Sequence, residues 1–364
     1  MFRKKLKKNI YIKFKEMDIP KEYQINDKRS IDFFKKISFS NYEKKEILIE
    51  LKKNIIDYRL EAAIYWSTEL LISGYINELL DLLIKIICLN INKSSPKLPI
   101  LLNERLTKID NILASYNLKK DLEYRNNQQL RNTVCELVSI LTISNKNKTI
   151  TFSKIKEVYF DINVLKNRLQ AKNLELLNNV MKEDDPSELQ LSLNEMAYCL
   201  NNNSSCDLIF FWLSWILTWE KKQIKKNGSF ICANRHVLKS NEYNTDVIWL
   251  IWDIIVNETN KRVNLNLRIS INSLFELFKK NYKPSNKSKK IDYLLYSIIL
   301  LVDTKDYNIP INHLDPLIIQ VCSNINIMYK NAKKNEICMR ENMLDQRIIR
   351  NDYHITKKKK KKIK

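Results

Sequence analysis

Glycine is almost absent from this chain, since only Gly74 and Gly228 occur in 364 residues. Phosphate-binding loops, dinucleotide-binding turns and nucleophile elbows all need glycine, because the backbone there adopts a positive φ or closely approaches a ligand. The chain cannot build these sites in their usual form. Two-residue β-hairpins also depend on glycine. The scarcity of glycine therefore predicts an all-α fold, a multi-helix array joined by loops rich in Asn, Lys and Ser.

Long apolar runs are also missing, because no stretch reaches the roughly 18 uncharged apolar residues that a membrane span needs. The best candidate, 208–219, contains Ser214 and Thr218 and is interpreted as a buried helix. The basic segment 1–15 lacks the apolar region of a secretory signal. Seven cysteines, an odd number with irregular spacing, are typical of reduced thiols. These patterns predict an intracellular protein that is not secreted and has no membrane span.

Histidine is scarce as well, with only His236, His313 and His354. A helical metal phosphohydrolase needs several His and Asp ligands that converge on one site, which three scattered histidines do not supply. No Ser-His-Asp or Cys-His arrangement is visible, although such sites are assembled in space. The sequence therefore favours a non-catalytic protein. The less favoured alternative is an enzyme whose site combines scattered Glu, Asp and Cys residues.

One group of residues has part of a zinc signature. Cys232 and His236 have the spacing of zinc ligands, but the two preceding cysteines are separated by six residues rather than by two to four. The alternative is a set of unrelated buried thiols. The sequence predicts no cofactor, with zinc as the alternative and these candidate ligands: Cys199, Cys206, Cys232 and His236.

Positive charge is concentrated at the two ends of the chain. The net charge is +22, and segments 1–15 and 357–364 each carry seven basic residues and no acid. Such tails attract polyanions through counterion release. An alternative origin is codon bias, because abundant Lys, Asn and Ile with scarce Gly, Ala and Pro are typical of an AT-rich genome. The candidate nucleic-acid contacts in the C-terminal tail are Lys357, Lys358, Lys359 and Lys360.

A second candidate patch lies at 119–132, where basic residues alternate with Asn and Gln. These side chains can bind phosphates or base edges. The alternative is the solvated start of a helix. The candidate contacts here are Lys119, Lys120, Arg125, Gln128 and Arg131.

Apolar periodicity and capping signals predict the order of the helices. Ser40 and Glu43 form a capping-box pair, which predicts a helix start near Asn41. Further helices are expected at 57–73, 76–92, 99–115, 121–143, 186–201, 206–226, 244–261, 267–281, 289–303 and 316–334. The predicted organisation has two helical halves: a basic, partly disordered lead-in (1–29), an N-terminal half (30–150), a connecting region (151–185), a C-terminal half (186–335) and a lysine-rich tail (336–364).

Five of the six tryptophans fall on two of these predicted helices. Trp212, Trp215 and Trp219 share one helical face among apolar neighbours, which is typical of a core. The alternative is a surface that stacks bases. A likeness between 63–67 and 209–213 suggests an internal, repeat-like duplication, and the alternative is a chance similarity between buried helices.

Two carboxylates lie within strongly apolar helices, Glu69 beside Trp66 and Asp253 beside Trp252. A buried carboxylate needs a partner, because an unpaired charge is costly in a protein interior. Each is expected to pair with an arginine such as Arg59, Arg105 or Arg262. The alternative is a metal-binding or acid–base role.

Four segments carry a resemblance to a known family: 61–70, 96–102, 125–127 and 246–253. They resemble an uncharacterised protein family of large nucleocytoplasmic DNA viruses, the mimivirus-like and alga-infecting groups. The likeness spans roughly residues 50–305 and brings no catalytic motif. It implies a virus-encoded protein made in the host cytoplasm and located there, in a virus factory or in the virion, with other viral proteins as partners.

Taken together, the sequence predicts a non-catalytic helical scaffold or adaptor whose basic termini contact DNA, RNA or an acidic partner. The alternative is a structural or virion-assembly protein that binds no nucleic acid. In that case the lysine tail would serve solubility or packaging.

Overall fold

The computed structural model describes residues 19–118, 122–240, 242–311 and 315–337. These residues contain no β-strand, only an isolated bridge between Ile37 and Glu43, so the all-α prediction is confirmed. The helices are α1 (Lys44–Ile56), α2 (Leu60–Ile72), α3 (Ile76–Ile86), α4 (Leu98–Leu113), α5 (Gln128–Ile143), α6 (Ile162–Leu165), α7 (Gln190–Asn201), α8 (Cys206–Asn227), α9 (Val247–Asn260), α10 (Leu265–Lys279), α11 (Lys287–Val302), α12 (Pro316–Ser323) and α13 (Ile325–Ala332).

The chain forms two compact units. Unit 1 takes its described residues from Met1–Leu79, Ile109–Ser139 and Leu314–Lys364, and unit 2 from Leu80–Lys108 and Ile140–His313. Each unit combines segments that are distant in sequence, whereas the predicted boundaries follow the chain in order.

In unit 1, α1 packs against α2 and begins later than the capping signal predicts. Its N-cap is Glu43. Ser40 instead bonds the buried carboxylate of Glu69, with its backbone N–H donating to Oε1 at 2.7 Å and its Oγ donating to Oε2 at 2.9 Å. The predicted helix start near Asn41 is therefore wrong, because Ser40 serves a carboxylate on α2 rather than the end of α1.

Helix α2 ends at a glycine, Gly74, in the left-handed conformation. Gly74 has a φ of +84°. Its N–H donates to the Leu71 carbonyl at 3.2 Å, and the Tyr75 N–H donates to the Leu70 carbonyl at 2.9 Å. This is the bond pattern of a Schellman cap. A Cβ at position 74 would lie 2.8 Å from Leu122 Cδ2, so both the backbone angle and the available space require glycine here.

In unit 2, three tryptophans are completely buried in the core. Trp212 of α8 and Trp249 and Trp252 of α9 are 0% exposed, which confirms the core interpretation for Trp212. Phe278 of α10 packs against α9, with its ring centroid 5.6 Å from that of Trp249 and 5.3 Å from that of Trp252. The suggested internal duplication is not confirmed.

The longest described helix is α8, with 22 residues. Its apolar part gives way to lysines before the helix ends. Among the described residues, no helix combines the length and the apolar character that crossing a bilayer requires.

Candidate nucleic-acid interface

Helix α8 is apolar in its first part and basic towards its end. Ser205 caps its start, with Oγ accepting from the Leu208 N–H, and Gly228 ends it in the left-handed conformation. Between these ends the helix is mostly buried at first and then carries four lysines. Residues three or four apart share a helix face, so one stripe runs from aromatic rings to amines. Its members are Trp215, Trp219, Lys222 and Lys226.

An irregular segment, 152–161, lies along this stripe. Ser214 Oγ donates to the Ser153 carbonyl at 2.8 Å. Trp215 Nε1 donates to the Tyr159 carbonyl at 2.9 Å. These two bonds hold the backbone of the segment on α8, so its side chains lie beside the stripe.

Phe160, Trp215 and Trp219 form a group of stacked rings. The Trp215 and Trp219 centroids are 5.3 Å apart with planes inclined by 10°, and the Phe160 and Trp219 centroids are 5.8 Å apart at 28°. Trp215 is buried, whereas Trp219 and Phe160 are half-buried. Trp219 and Phe160 are therefore partly exposed to solvent, whereas Trp215 is not.

Cations lie close to the rings. Lys222 Nζ is 3.9 Å from the Phe160 centroid. The Arg168 Cζ lies 4.3 Å from the Phe211 centroid and 4.9 Å from that of Tyr159. Attraction between a cation and the face of a ring favours both arrangements. Basic groups and aromatic groups are thus interleaved on one surface of unit 2.

Positive charge dominates this surface. Residues 144–172 contain seven basic and two acidic residues, and residues 220–228 contain four lysines and one glutamate. Glu157 pairs with Lys222, and Glu220 is buried. We define the basic aromatic face as the following exposed or half-buried residues: Lys154, Lys156, Tyr159, Phe160, Arg168, Phe211, Trp219, Lys222, Lys225 and Lys226.

Two predicted contacts of the 119–132 patch lie inside unit 1. Arg125 is 5% exposed and Arg131 is 1% exposed. Arg131 Nη1 donates to the Tyr23 carbonyl at 3.0 Å and to Asn326 Oδ1 at 2.9 Å. The prediction of an exposed patch is therefore wrong for these two arginines. Both are buried, and Arg131 donates to acceptors inside the unit.

The other predicted nucleic-acid contacts have different outcomes. Gln128 is half-buried and accepts a hydrogen bond from Asn326 Nδ2 at 2.7 Å. The remaining six candidates lie outside the described residues: Lys119, Lys120, Lys357, Lys358, Lys359 and Lys360.

The four candidate zinc ligands are all described, and the structure does not bring them together. No group of three or more His, Cys, Asp or Glu residues in the described ranges is arranged to hold a metal ion. Burial raises the pKa of the Cys199 and Cys206 thiols to about 11 and that of Cys232 to about 12. His236 is exposed and has a φ of 50°. High thiol pKa values disfavour the thiolate form that zinc requires.

Asp253 pairs with an arginine as expected, but the partner is Arg235. Arg235 Nε donates to Asp253 Oδ2 at 2.6 Å, and its Nη2 donates to Asp185 Oδ2 at 2.6 Å. Burial raises the pKa of Asp253. Burial also acts to raise the pKa of Asp185, but bonds from Arg235 and the Lys182 and Ala233 N–H groups outweigh it and hold that pKa low. Opposite charges account for this network without a metal.

No protein-family model, curated protein or solved structure matches the chain. The resemblance to a viral family therefore stays a prediction. Among the described residues, the basic aromatic face brings aromatic rings and cations into contact on one surface of unit 2.

Proposed function

We propose that this protein is a non-catalytic helical scaffold that binds single-stranded nucleic acid through the basic aromatic face. The observation that carries the proposal is the half-buried pair Phe160 and Trp219, stacked on each other and bordered by lysines. The partner class is the one predicted from the sequence, but the main contact with the nucleic acid would lie on unit 2 rather than on the termini.

Aromatic rings and amines have complementary roles on such a surface. Bases unstacked from a single strand can stack on aromatic rings, and each such contact contributes about 1–3 kcal/mol. Lysine amines neutralise phosphates along the same strand. A duplex buries its base faces, so a platform of rings favours single strands over double strands.

The cations on the face are mainly lysines. Five of its six basic residues are lysines, and Arg168 is held between Phe211 and Tyr159. Lysine acts as a flexible point charge, whereas readout of base edges relies on bidentate side chains such as arginine. We therefore propose binding with little sequence preference. The lysine-rich ends would add sequence-independent attraction.

The test is the salt dependence of oligothymidylate binding, followed by fluorescence anisotropy with the full chain. Changing Lys222, Lys225 and Lys226 to Gln removes three amines from the end of α8. Because each phosphate contact on a single strand contributes a slope of about 0.7, the slope of log affinity against log salt should fall by about 2. The matched control replaces exposed lysines outside the face: Lys45, Lys53 and Lys289.

An unchanged slope in the face variant, or an equal loss in the control, would contradict the proposal. A second candidate partner is an acidic protein. The lysines of the face would pair with its acidic residues, and exposed aliphatic side chains beside the face would add apolar contacts. Val158, Ile162 and Ile224 are 53%, 50% and 42% exposed. Absence of nucleic-acid binding by the folded full chain would favour that candidate and the predicted structural or assembly role.

A further inference from the structure

A polar groove of about 600 Å³ lies within unit 1. One wall is the loop 24–31, and the other is formed by Tyr116 and residues 122–126. Its size falls in the range of small-molecule sites. Both walls belong to unit 1, whereas the basic aromatic face belongs to unit 2.

Arg125 lines this groove and is 5% exposed. Its Nη2 donates to the Asp27 carbonyl at 3.1 Å, whereas its buried Nη1 has no hydrogen-bond partner. None of the ion pairs formed among the described residues includes Arg125. A buried cation ordinarily has both hydrogen-bond acceptors and an opposite charge. Arg125 is thus a buried guanidinium that forms no ion pair with a described residue and keeps one donor nitrogen without a hydrogen-bond partner.

The carboxylate of Asp27, which attracts Arg125, is already bonded to other donors. Asp27 Oδ1 accepts from the Arg29 N–H at 2.8 Å, and its Oδ2 accepts from Arg29 Nη2 at 2.7 Å and the Ile337 N–H at 2.9 Å. Asp27 and Arg29 therefore neutralise each other. Asp27 and Glu336 both attract the charge of Arg125, but burial still lowers the pKa of Arg125, so the two carboxylates do not offset the cost of burying that charge.

The backbone around Arg125 is held in place from both sides. Arg131 Nε donates to the Arg125 carbonyl at 2.8 Å. Asn126 and Ile25 form a reciprocal pair, with the Ile25 N–H donating to Oδ1 at 2.8 Å and Asn126 Nδ2 donating to the Ile25 carbonyl at 2.9 Å. The groove is therefore rigid on the side that carries the unpartnered donor, which lowers the cost of binding.

We infer that this groove binds a phosphate group, free or as the ester of a small molecule, through the guanidinium of Arg125. Phosphate oxygens match the paired N–H groups of arginine, and charge-assisted bonds of this kind are among the strongest that proteins form. Lys28 and Ser30 on the facing loop are exposed and supply further donors at the rim. The exposed carboxylate of Glu123 lies on the same groove and sets a limit on how much negative charge it accepts.

The test is isothermal titration calorimetry of the full chain with inorganic phosphate and with glycerol phosphate, at constant ionic strength. We expect saturable binding that Arg125→Lys weakens at least tenfold, because lysine keeps the charge and loses the paired donors. A preference for glycerol phosphate would identify an ester as the ligand, and equal binding would identify free phosphate. Absence of saturable binding to the wild-type chain would overturn the inference.

Circular dichroism melting first establishes that Arg125→Lys is folded. The second variant is Ser30→Trp, which fills the groove from its exposed rim without touching a buried group, and it should also abolish binding. Retention of full affinity in either folded variant contradicts the inference. The Lys222, Lys225 and Lys226 variant should bind phosphate as the wild type does, so failure of this site is distinguishable from failure of the proposed nucleic-acid face.

Discussion

Two regions of this protein concentrate basic residues, and they use them in opposite ways. In unit 1, Arg131 is buried and donates to internal acceptors, although it lies in the polar stretch 119–132. In unit 2, the lysines of the basic aromatic face are exposed or half-buried beside aromatic rings. The comparison shows that local charge density in a sequence does not distinguish internal hydrogen-bond donors from a ligand-binding surface.

The chemistry of the two cations explains the difference. Arg131 has five N–H donors in a planar fork, and it bonds acceptors in four residues while its Cζ lies 3.6 Å from the Tyr329 centroid. A lysine amine is compact and strongly hydrated, so it remains at the surface. Arginine thus replaces water for several buried carbonyls at once, which lysine cannot do.

The largest expected effect is the loss of stability on changing Arg131 to Ala. Removal of this side chain leaves the Tyr23 and Arg125 carbonyls without their donors, so the free energy of unfolding should fall by about 3–5 kcal/mol. Urea unfolding followed by circular dichroism measures it. The matched change on the exposed face of α8, Lys221→Ala, should cost less than about 0.5 kcal/mol. Similar losses in the free energy of unfolding for the two variants would contradict the contrast between a buried arginine and an exposed lysine.

The two glycines extend the comparison to helix ends. Gly74 and Gly228 have φ values of +84° and +81°, but only Gly74 has neighbours within 4 Å of an added Cβ. Gly228→Ala should therefore cost about 1–2 kcal/mol for the backbone conformation alone. Gly74→Ala should cost about 1–3 kcal/mol more, because the new methyl group overlaps Leu122. Thermal unfolding of both variants tests this order, and an equal loss would show that Leu122 moves aside freely.

Trp219 tests whether the rings of the basic aromatic face contribute to nucleic-acid binding. Its change to Ala should weaken oligothymidylate binding about tenfold, because one stacking contact contributes about 1–3 kcal/mol. The control is Tyr42→Ala, which removes a partly exposed ring from unit 1. Anisotropy titrations at one salt concentration measure both. Unchanged affinity on loss of Trp219, with the fold intact, would reduce the face to an electrostatic surface.

The smallest expected effect is a loss of stability at acid pH through the ion pair between Asp185 and the buried Arg235 side chain of unit 2. The folded-state pKa of Asp185 lies below its ordinary value of 3.8. Its contribution to stability is therefore complete above that value and is lost as the pH falls through the lower folded-state pKa. The difference in free energy of unfolding between the wild type and Asp185→Asn should narrow as the pH falls below 3.8. A constant difference across that range would show that the ion pair does not govern the acid response.

Local signals in the sequence predict the helices well. The spacing of apolar residues places α8, α9 and α11 within about three residues of their observed ends. The predicted helix at 316–334 is instead two helices, α12 and α13, because the chain is interrupted at Asn324. Ser40 shows the limit of local signals, since its partner Glu69 lies on another helix and no capping rule registers it.

The candidate site depends on contacts between distant segments, which sequence patterns do not reveal. Trp219 and Lys222 are visible as neighbours on one helix, but Phe160 joins them from a segment about 60 residues earlier. The grouping of Trp212 with Trp219 by spacing also conceals their different surroundings, since one is fully buried and the other half-buried. For the same reason, the sequence does not reveal that each unit combines segments that are distant along the chain.

The scarcity of glycine leaves its mark on the turns. Seven described non-glycine residues have a positive φ, and four of them are asparagines: Asn41, Asn92, Asn203 and Asn281. Asparagine tolerates the left-handed region better than other side chains, although less well than glycine. The scarcity of glycine thus leaves conformational strain distributed over several turns, and replacing Asn203 or Asn281 by glycine offers a direct route to a more stable protein.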